Sequence, residues 1–329
     1  MNLKESLSYA LNRLLDLGMD HAEGVINESE KKELNVESGK ISLFRTTFSN
    51  SLSLEAIKDF KQSSININKI DKNSINSSIN TLIENVESSQ VDEDNTISKK
   101  QSKEVFKKGE IEPDLNLMYD RVDDFNNYVK INHKKIILEA VTLVHNSSKS
   151  HILNTNDVDF EVARGLYGFS AMFTAKEGLD TSSFNYTGID TLKLNDHLKD
   201  RGYMSNLLTQ SEEQVKAFPI KDKFIGKIVV TPHCLSDFIS FIEYSISDSA
   251  LISGTSIYKN KIGEKVANKD FMLSSNPVDE RIDSGYFVTG DTYKAENLNI
   301  IKNGILNTHL LSRYGAKKTG GERAVNQGG

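Results

Sequence analysis

The stretch at residues 227–268 constrains the fold of this chain most, because it joins strand, helix and turn signals in one run. Its β-branched residues 228–230 predict a short buried strand. Thr231 and Pro232 then predict a helix start, since a hydroxyl side chain can cap a helix and proline at the first helical position loses no needed N–H. Gly254 is a suitable stop for this helix, which would span roughly 30 Å at ~1.5 Å per residue.

One face of the predicted helix is apolar, and its residues recur at helical spacing. They are Leu235, Phe238, Ile239, Ile242 and Ile246. An apolar stripe of this kind ordinarily faces a protein core. We therefore expect this face to be buried.

The rest of the chain alternates between period-two and helical patterns, which predicts an α+β fold. Residues 2–17 and 74–86 have helical patterns, whereas residues 22–60 and 63–70 have strand patterns with a hairpin turn at 37–40. A polar, charged stretch follows and is typical of a linker or mobile loop. Residues 302–304, Lys-Asn-Gly, predict another hairpin turn.

These patterns divide the chain into four regions. We predict a small N-terminal domain with helices on a sheet, a linker or mobile loop, a strand-rich middle domain, and a β-rich C-terminal domain that carries the long helix and looks truncated. Their bounds are 1–87, 88–116, 117–220 and 221–329.

Composition excludes several classes of function. The net charge of −6 disfavours a nucleic-acid surface, because phosphate binding needs clustered Lys and Arg. Cys234 is the single cysteine, which rules out an internal disulfide and fits a reducing cytoplasm. The sequence contains no stretch of ~18 apolar residues, so no membrane span is predicted.

The start of the predicted helix carries the candidate chemical groups. His233 and Cys234 are adjacent, but neighbouring residues on a helix point apart, so a Cys–His nucleophile pair is disfavoured. His233 and Asp237 lie four residues apart and share a helix face, so they are candidate metal ligands, although no third ligand is identifiable. The alternative is that both are ordinary surface groups near a helix start.

Three segments resemble the TldD/PmbA family, also called the modulator of DNA gyrase family. Residues 256–268, SIYKNKIGEKVAN, resemble the motif after the family's active-site helix. Residues 302–321 resemble its C-terminal hairpin and the stretch that follows, and residues 22–42 resemble its N-terminal hairpin. The resemblance makes Ser256, Tyr258, Gly263 and Glu264 candidate substrate contacts. Gly263 equally suits a positive-φ turn that joins the helix to a sheet.

The family contains two kinds of subunit. One carries HExxxH on this helix and is a zinc peptidase, whereas the TldE- or PmbA-like subunit lacks the histidines and pairs with the first. A gapless alignment on IGEKVA places Ile239, Ser240 and Tyr244 where the first His, the Glu and the second His would fall. HExxxH and HExxH are absent from the sequence.

The resemblance therefore implies a cytoplasmic, non-catalytic partner subunit of a zinc metallopeptidase that processes or degrades short or unfolded peptides. No cofactor is expected in this chain, and zinc is expected in an HExxxH-bearing TldD-like partner. Two alternatives stay open: a stand-alone homodimeric peptide-binding regulator, in which the partner is a second copy, and an independent enzyme that uses His233 and Asp237.

Overall fold

The computed structural model describes residues 2–37 and 39–326, and it is an α+β structure with seven helices and eleven strands in that part of the chain. The first half contains, in order, α1 Leu3–Asp16, β1 His21–Glu37, β2 Lys40–Lys58, β3 Lys61–Ile67, α2 Lys72–Ser88, β4 Glu104–Lys108, α3 Leu115–Asn132 and β5 Ile136–Asn154. The second half contains β6 Asp159–Glu177, β7 Asp180–Thr181, β8 Asn185–Thr191, α4 Met204–Glu213, α5 Pro232–Ser245, α6 Asp248–Ile252, β9 Leu273–Ser275, β10 Leu298–Lys302, β11 Ile305–Leu306 and α7 Arg313–Thr319.

A single large sheet forms the centre of the molecule. Its strand order is β3-β2-β1-β5-β6-β4, and β7 and β8 also pair with β6. All pairs are antiparallel except β4 with β6. The strand patterns predicted in residues 22–60 form two continuous strands, β1 and β2, of 17 and 19 residues. Polar residues in the middle of β1 do not interrupt it, because β2 and β5 satisfy its backbone groups on both sides.

The helices α1 to α4 cover one face of this sheet. Ile26 of β1 lies in a cluster with α1 and α2, whereas Leu34 lies in a second cluster with α3 and α4. Residues 26 and 34 are an even number apart, so both side chains point to the same face. The helix patterns predicted for residues 2–17 and 74–86 are confirmed, with Asn2 and Asp71 as N-caps.

The C-terminal region packs against the opposite face, near β4 and β6. Phe106 of β4 stacks on Phe287 with ring centroids 4.9 Å apart, and Phe160 of β6 meets Phe106 edge-on at 5.9 Å. The segment predicted as a linker, residues 88–116, thus contains a strand that contacts the C-terminal region. Residues 302–304 form the predicted hairpin turn between β10 and β11, with positive φ at Asn303 and Gly304.

The long helix and the strand before it differ from the sequence prediction. Residues 228–230 are exposed and form no strand, because no other segment of the described chain pairs with them. The helix is interrupted after Ser245, and α6 begins at Asp248. The prediction that the apolar face of this helix is buried is also wrong in part. Phe238 is 60% exposed, whereas Ile242 is half-buried against the cluster around Ile246.

The predicted hairpin turn at residues 37–40 includes Ser38, which lies outside the described residues. The strands on either side end at Glu37 and begin again at Lys40. None of the described helices is both long and apolar enough to cross a membrane.

Candidate functional site

Helix α5 leaves most of its apolar side chains uncovered. Within α5, whose residues are all described, Ser245 is buried, while Leu235, Phe238 and Phe241 are exposed. The chain leading into α5 is equally apolar and exposed, and its large side chains are Phe218, Ile220, Phe224, Ile225, Ile228 and Val229. We call these exposed apolar residues of 218–244 the α5 surface. Large apolar surfaces of this kind mark interaction sites in soluble proteins.

The start of α5 does not gather a metal-binding set. His233 is exposed, and its ring stacks on Tyr203 with centroids 5.7 Å apart and planes within 7°. Asp237 and Cys234 are also exposed. In residues 2–37 and 39–326, no group of three or more His, Cys, Asp or Glu side chains is arranged to hold a metal ion. Within those ranges, therefore, no third metal ligand accompanies His233 and Asp237.

The three residues aligned with the first His, the Glu and the second His of HExxxH all lie on α5. Ile239 is half-buried, and Tyr244 is exposed. The hydroxyl of Ser240 donates a hydrogen bond to the carbonyl of Ser236 at 2.9 Å, within the helix itself. These three side chains do not make the His-Glu-His set that binds zinc and activates its water.

The loop after α6 holds the four candidate substrate contacts. The hydroxyl of Ser256 donates to the carbonyl of Ser245 and accepts from the N–H of Tyr258 at 3.0 Å. Gly263 has a φ of +80°, and its N–H donates to the carbonyl of Leu306 at 2.7 Å. The N–H of Leu306 in turn donates to the carbonyl of Glu264, whose exposed carboxylate pairs with Lys261 at 2.7 Å. Gly263 and Glu264 therefore join this loop to the β10–β11 hairpin.

A cavity of about 320 Å³ lies beside this loop, between α6 and the end of α7. Its wall includes Lys259, Asn260, His309, Lys318 and Gly320, but none of the four candidate residues. Tyr258 is nevertheless close, since Nε2 of buried His309 lies 2.9 Å from its carbonyl oxygen. Lys318 is held by Asp92 at 2.7 Å and Asp94 at 3.0 Å, and these hydrogen bonds raise its pKa.

A polar cluster that the sequence analysis missed connects the C-terminal region to the sheet. Arg323 makes two hydrogen bonds to buried Asp291, at 2.8 and 3.0 Å, and its guanidinium lies 3.8 Å from the ring centroid of Tyr293. Arg313 donates its backbone N–H to the same carboxylate at 2.8 Å. Burial raises the pKa of Asp291, but the hydrogen bonds from Arg323 and Thr289 outweigh it and lower the pKa overall.

Two carboxyl groups lie under this cluster, on the face of the sheet opposite the helices. Glu23 of β1 and Glu55 of β2 are directly paired across the strands. Burial raises the pKa of Glu23, and burial together with the charge of Glu23 raises the pKa of Glu55 to about 7. The charge of Arg313 opposes both shifts. Oε2 of Glu23 and Nε of Arg313 are buried without hydrogen-bond partners.

Residue 55 alternates with the buried leucines of β2, so its side chain lies on the other face of the sheet. That face would ordinarily be exposed to solvent. Nothing in the local sequence shows that the C-terminal region covers this face. The signal that could have identified the cluster is the presence of Asp291, Arg313 and Arg323, opposite charges that can pair, in the C-terminal segment.

Comparisons with known proteins agree with this architecture. Residues 225–328 match the family model described as the PmbA/TldA metallopeptidase C-terminal domain, a range that includes α5 and the loop after it. Among curated proteins, none matches the chain in sequence.

Solved structures share its fold. TldE from Thermococcus kodakarensis superposes with a TM-score of 0.81 at 15% identity, over 97% of this chain and 72% of that one. A candidate modulator of DNA gyrase from Bacteroides thetaiotaomicron gives 0.78 at 20% identity, over 99% of this chain and 75% of that one. A second, from Thermotoga maritima, gives 0.72 at 15% identity, over 97% and 73%. Residues 225–328 therefore resemble the C-terminal domain of the PmbA/TldA family, and the fold of the chain is that of the TldE structure.

Proposed function

We propose that this chain is the non-catalytic partner subunit of a TldD/TldE-type zinc metallopeptidase that processes or degrades short or unfolded peptides in the cytoplasm. The TldE-like fold supports this proposal, as do Ile239, Ser240 and Tyr244 at the HExxxH positions. These residues do not fit zinc, so we expect zinc, and the water it activates, in the partner subunit.

The observation that carries the proposal is the α5 surface. In a catalytic subunit, the helix at this position would present metal ligands to a cleft. Here it presents Leu235, Phe238 and Phe241 to solvent, and Phe241 alone is 61% exposed. Aromatic and aliphatic side chains are enriched in the buried centres of protein interfaces, where charged residues are depleted. We therefore propose that an HExxxH-bearing TldD-like subunit covers the α5 surface.

The chain would then supply one wall of a shared cleft. Next to α5 lie the loop with Ser256 and Tyr258 and the cavity beside it, whose Lys259 and Asn260 suit the carbonyl and carboxylate groups of a peptide. An extended peptide in such a cleft would gain affinity from main-chain hydrogen bonds to a strand and from pockets for alternate side chains.

Co-purification tests this proposal. A tagged form of this chain should retain an HExxxH-bearing relative encoded in the same genome, and the complex should cleave unstructured peptides faster, or more selectively, than the relative alone. Replacing Phe238 and Phe241 together by Asp should abolish retention. Leu179→Asp is the matched control, because Leu179 is 99% exposed in the turn between β6 and β7, outside the α5 surface.

Two results would contradict the proposal. One is peptide hydrolysis by this chain alone, in preparations free of contaminating protease, which would favour the independent enzyme. The other is retention of the relative that is equal for the wild type and for the double Asp variant, which would place the contact elsewhere.

A further inference from the structure

One strand at the far side of the large sheet has no neighbour on its outer side. β6 pairs with β5 along one side, and on the other side it pairs with β4 at residues 160–164 and with β8 at residues 167–173. Among the described strands, β8 pairs only with β6. We call the outer side of residues 185–191 the β8 edge. Its unpaired N–H and C=O groups are a template for another strand.

The β8 edge lacks the features that ordinarily protect such an edge. Exposed edges commonly carry lysine or proline, which block pairing. Residues 185–191, NYTGIDT, contain no proline, and Asp190 is their one charged residue. The edge is therefore open to an added strand.

The segment after α4 leaves the β8 edge uncovered. At the start of β8, the side chain of Asn185 donates to that of Gln214 at 3.2 Å. Beyond its end, His233 of α5 stacks on Tyr203, in the loop that packs against the last residues of β8. Residues 217–230 connect these two points, but they are exposed and belong to no strand.

The face of the sheet beside the β8 edge has a trough. An open cavity of about 490 Å³ lies over Gly188 of β8 and Gly168 of β6, which have no side chains, and Val144 and Ser170 also line it. Gly188 pairs directly with Ser170, and directly paired residues share a face of a sheet. A long side chain from an added strand can therefore lie across Gly188.

An aromatic ring and a free carboxylate flank Gly188. Tyr186 and Asp190 lie two residues to either side of it, so all three share one face, and Tyr186 is 70% exposed. A Cβ on Gly168 would lie 3.4 Å from Oδ1 of Asp190, so this carboxylate leans over the trough. In the described part of the chain it has no ion-pair partner, since nearby Arg164 donates to a carbonyl of the C-terminal region instead.

These features define the chemistry of a ligand. An added strand hydrogen-bonds along the β8 edge, and its residue beside Gly188 projects a side chain over the trough. A lysine or arginine at that position reaches the carboxylate of Asp190, and its charge can lie over the ring of Tyr186. A glutamate there would meet the like charge of Asp190.

We propose that the β8 edge binds an extended peptide as an added strand, with a lysine or arginine beside Gly188. The inference rests on the proposed function for the class of ligand, a peptide, and it adds the strand that holds the peptide and the side chain that is selected. The β8 edge shares no residue with the α5 surface. Loss of peptide binding and loss of an HExxxH-bearing partner are therefore separate results.

Titration of the full chain with two heptapeptides tests the selected side chain. Acetyl-TVTKTVT-amide should bind about fivefold more tightly than acetyl-TVTETVT-amide at low ionic strength. Asp190→Lys should reverse this preference. The matched control is Asp16→Lys, at the exposed end of α1, which makes the same change in net charge and should keep the preference.

Backbone methylation of the lysine peptide tests the strand pairing. In an added strand, alternate N–H groups point towards the β8 edge and the others point away. N-methylation of one alternate set of residues should weaken binding about tenfold or more, whereas N-methylation of the other set should leave the affinity unchanged.

Several results would overturn the proposal. They are the absence of peptide binding, equal affinity for the two peptides, and equal effects of the two methylation patterns. An affinity that falls as the protein concentration rises would assign the β8 edge to a second copy. Binding that appears only in Gly226→Pro, which removes an N–H needed for pairing, would assign it to residues 217–230. Retention of an HExxxH-bearing relative by a chain that binds no peptide would contradict this inference alone.

Discussion

Helices α1 and α5 have the same length of 14 residues and opposite environments. Leu7, Leu11 and Leu14 of α1 are buried against β1, β2 and α2. In α5, by contrast, Phe238 and Phe241 are exposed. The same helical spacing of apolar residues thus gives a core helix at one end of the molecule and an exposed one at the other. Periodicity identifies the apolar face of a helix, but it does not identify what covers that face.

The two regions also differ in how they attach to the central sheet. The α1 and α2 layer is held by a large apolar cluster. The C-terminal region has a smaller apolar cluster around Ile246, and beside the Phe106–Phe287 stack it contacts the rest of the molecule through polar groups, such as Tyr314 and Lys318 with Asp92. Apolar burial is insensitive to pH, whereas polar contacts with shifted pKa values are not. The two regions should therefore respond differently to mutation and to pH.

The largest effect should come from emptying the buried side of α1. Leu14 is fully buried, so Leu14→Ala removes buried methyl groups and leaves a cavity. We expect the free energy of unfolding to fall by about 2–5 kcal/mol. Chemical denaturation at pH 7 measures this change. A loss below about 0.5 kcal/mol, the ordinary size of a surface effect, would show that α1 is not a core helix.

The contact between the sheet and the C-terminal region should weaken as the pH rises. The folded-state pKa of Glu55 is about 7, above the ordinary value of 4.5. Between pH 4.5 and pH 7, Glu55 has released its proton in the unfolded chain but retains it in the folded chain. The contribution of Glu55 to stability is therefore full at pH 4.5, falls as the pH rises to about 7 and is constant above that. The loss should be at most about 3 kcal/mol.

Denaturation between pH 5 and 8 tests this prediction with two variants. Glu55→Gln should reduce the slope and stabilise the protein at pH 8, because the glutamine cannot ionise beside Glu23; the slope that remains comes from Glu23, whose pKa burial also raises. Glu84→Gln, at an exposed position of α2, is the control and should keep the wild-type slope. A wild-type slope in Glu55→Gln would mean that another group causes the pH dependence.

The smallest effect should come from α5 in the isolated chain. Phe238→Ala removes a side chain that is 60% exposed, so it loses little burial and leaves no closed cavity. We expect the free energy of unfolding to change by less than about 0.5 kcal/mol, far less than for Leu14→Ala. A loss of 2 kcal/mol or more in the monomeric chain would mean that α5 is packed within its own subunit.

The sequence predicted the parts of the fold that depend on local pattern. The α+β class and the hairpin at Asn303 and Gly304 follow from periodicity and turn chemistry, and the structure has both. The resemblance to the TldD/PmbA family agrees with the comparisons. By contrast, residues 228–230 have the composition of a buried strand but no partner among the described residues, and strand pairing is a non-local property.

The candidate site was predicted less well for the same reason. Gly263 was correctly expected to suit a positive-φ turn, because that requirement is local. The pairing of Glu23 with Glu55 beneath Arg313 joins residues from both ends of the chain, and no local pattern indicates it. Whether Ser256 and Tyr258 contact a peptide stays a prediction.

Hydrogen–deuterium exchange of this chain, alone and with an HExxxH-bearing relative, tests the central claim most directly. If the α5 surface is the contact for a catalytic partner, amides in residues 218–245 should exchange quickly in the isolated chain and become protected in the complex. Amides of α1 should be protected to the same extent in both. Unchanged exchange across residues 218–245 in a demonstrated complex would contradict the account, because the partner would then bind another surface.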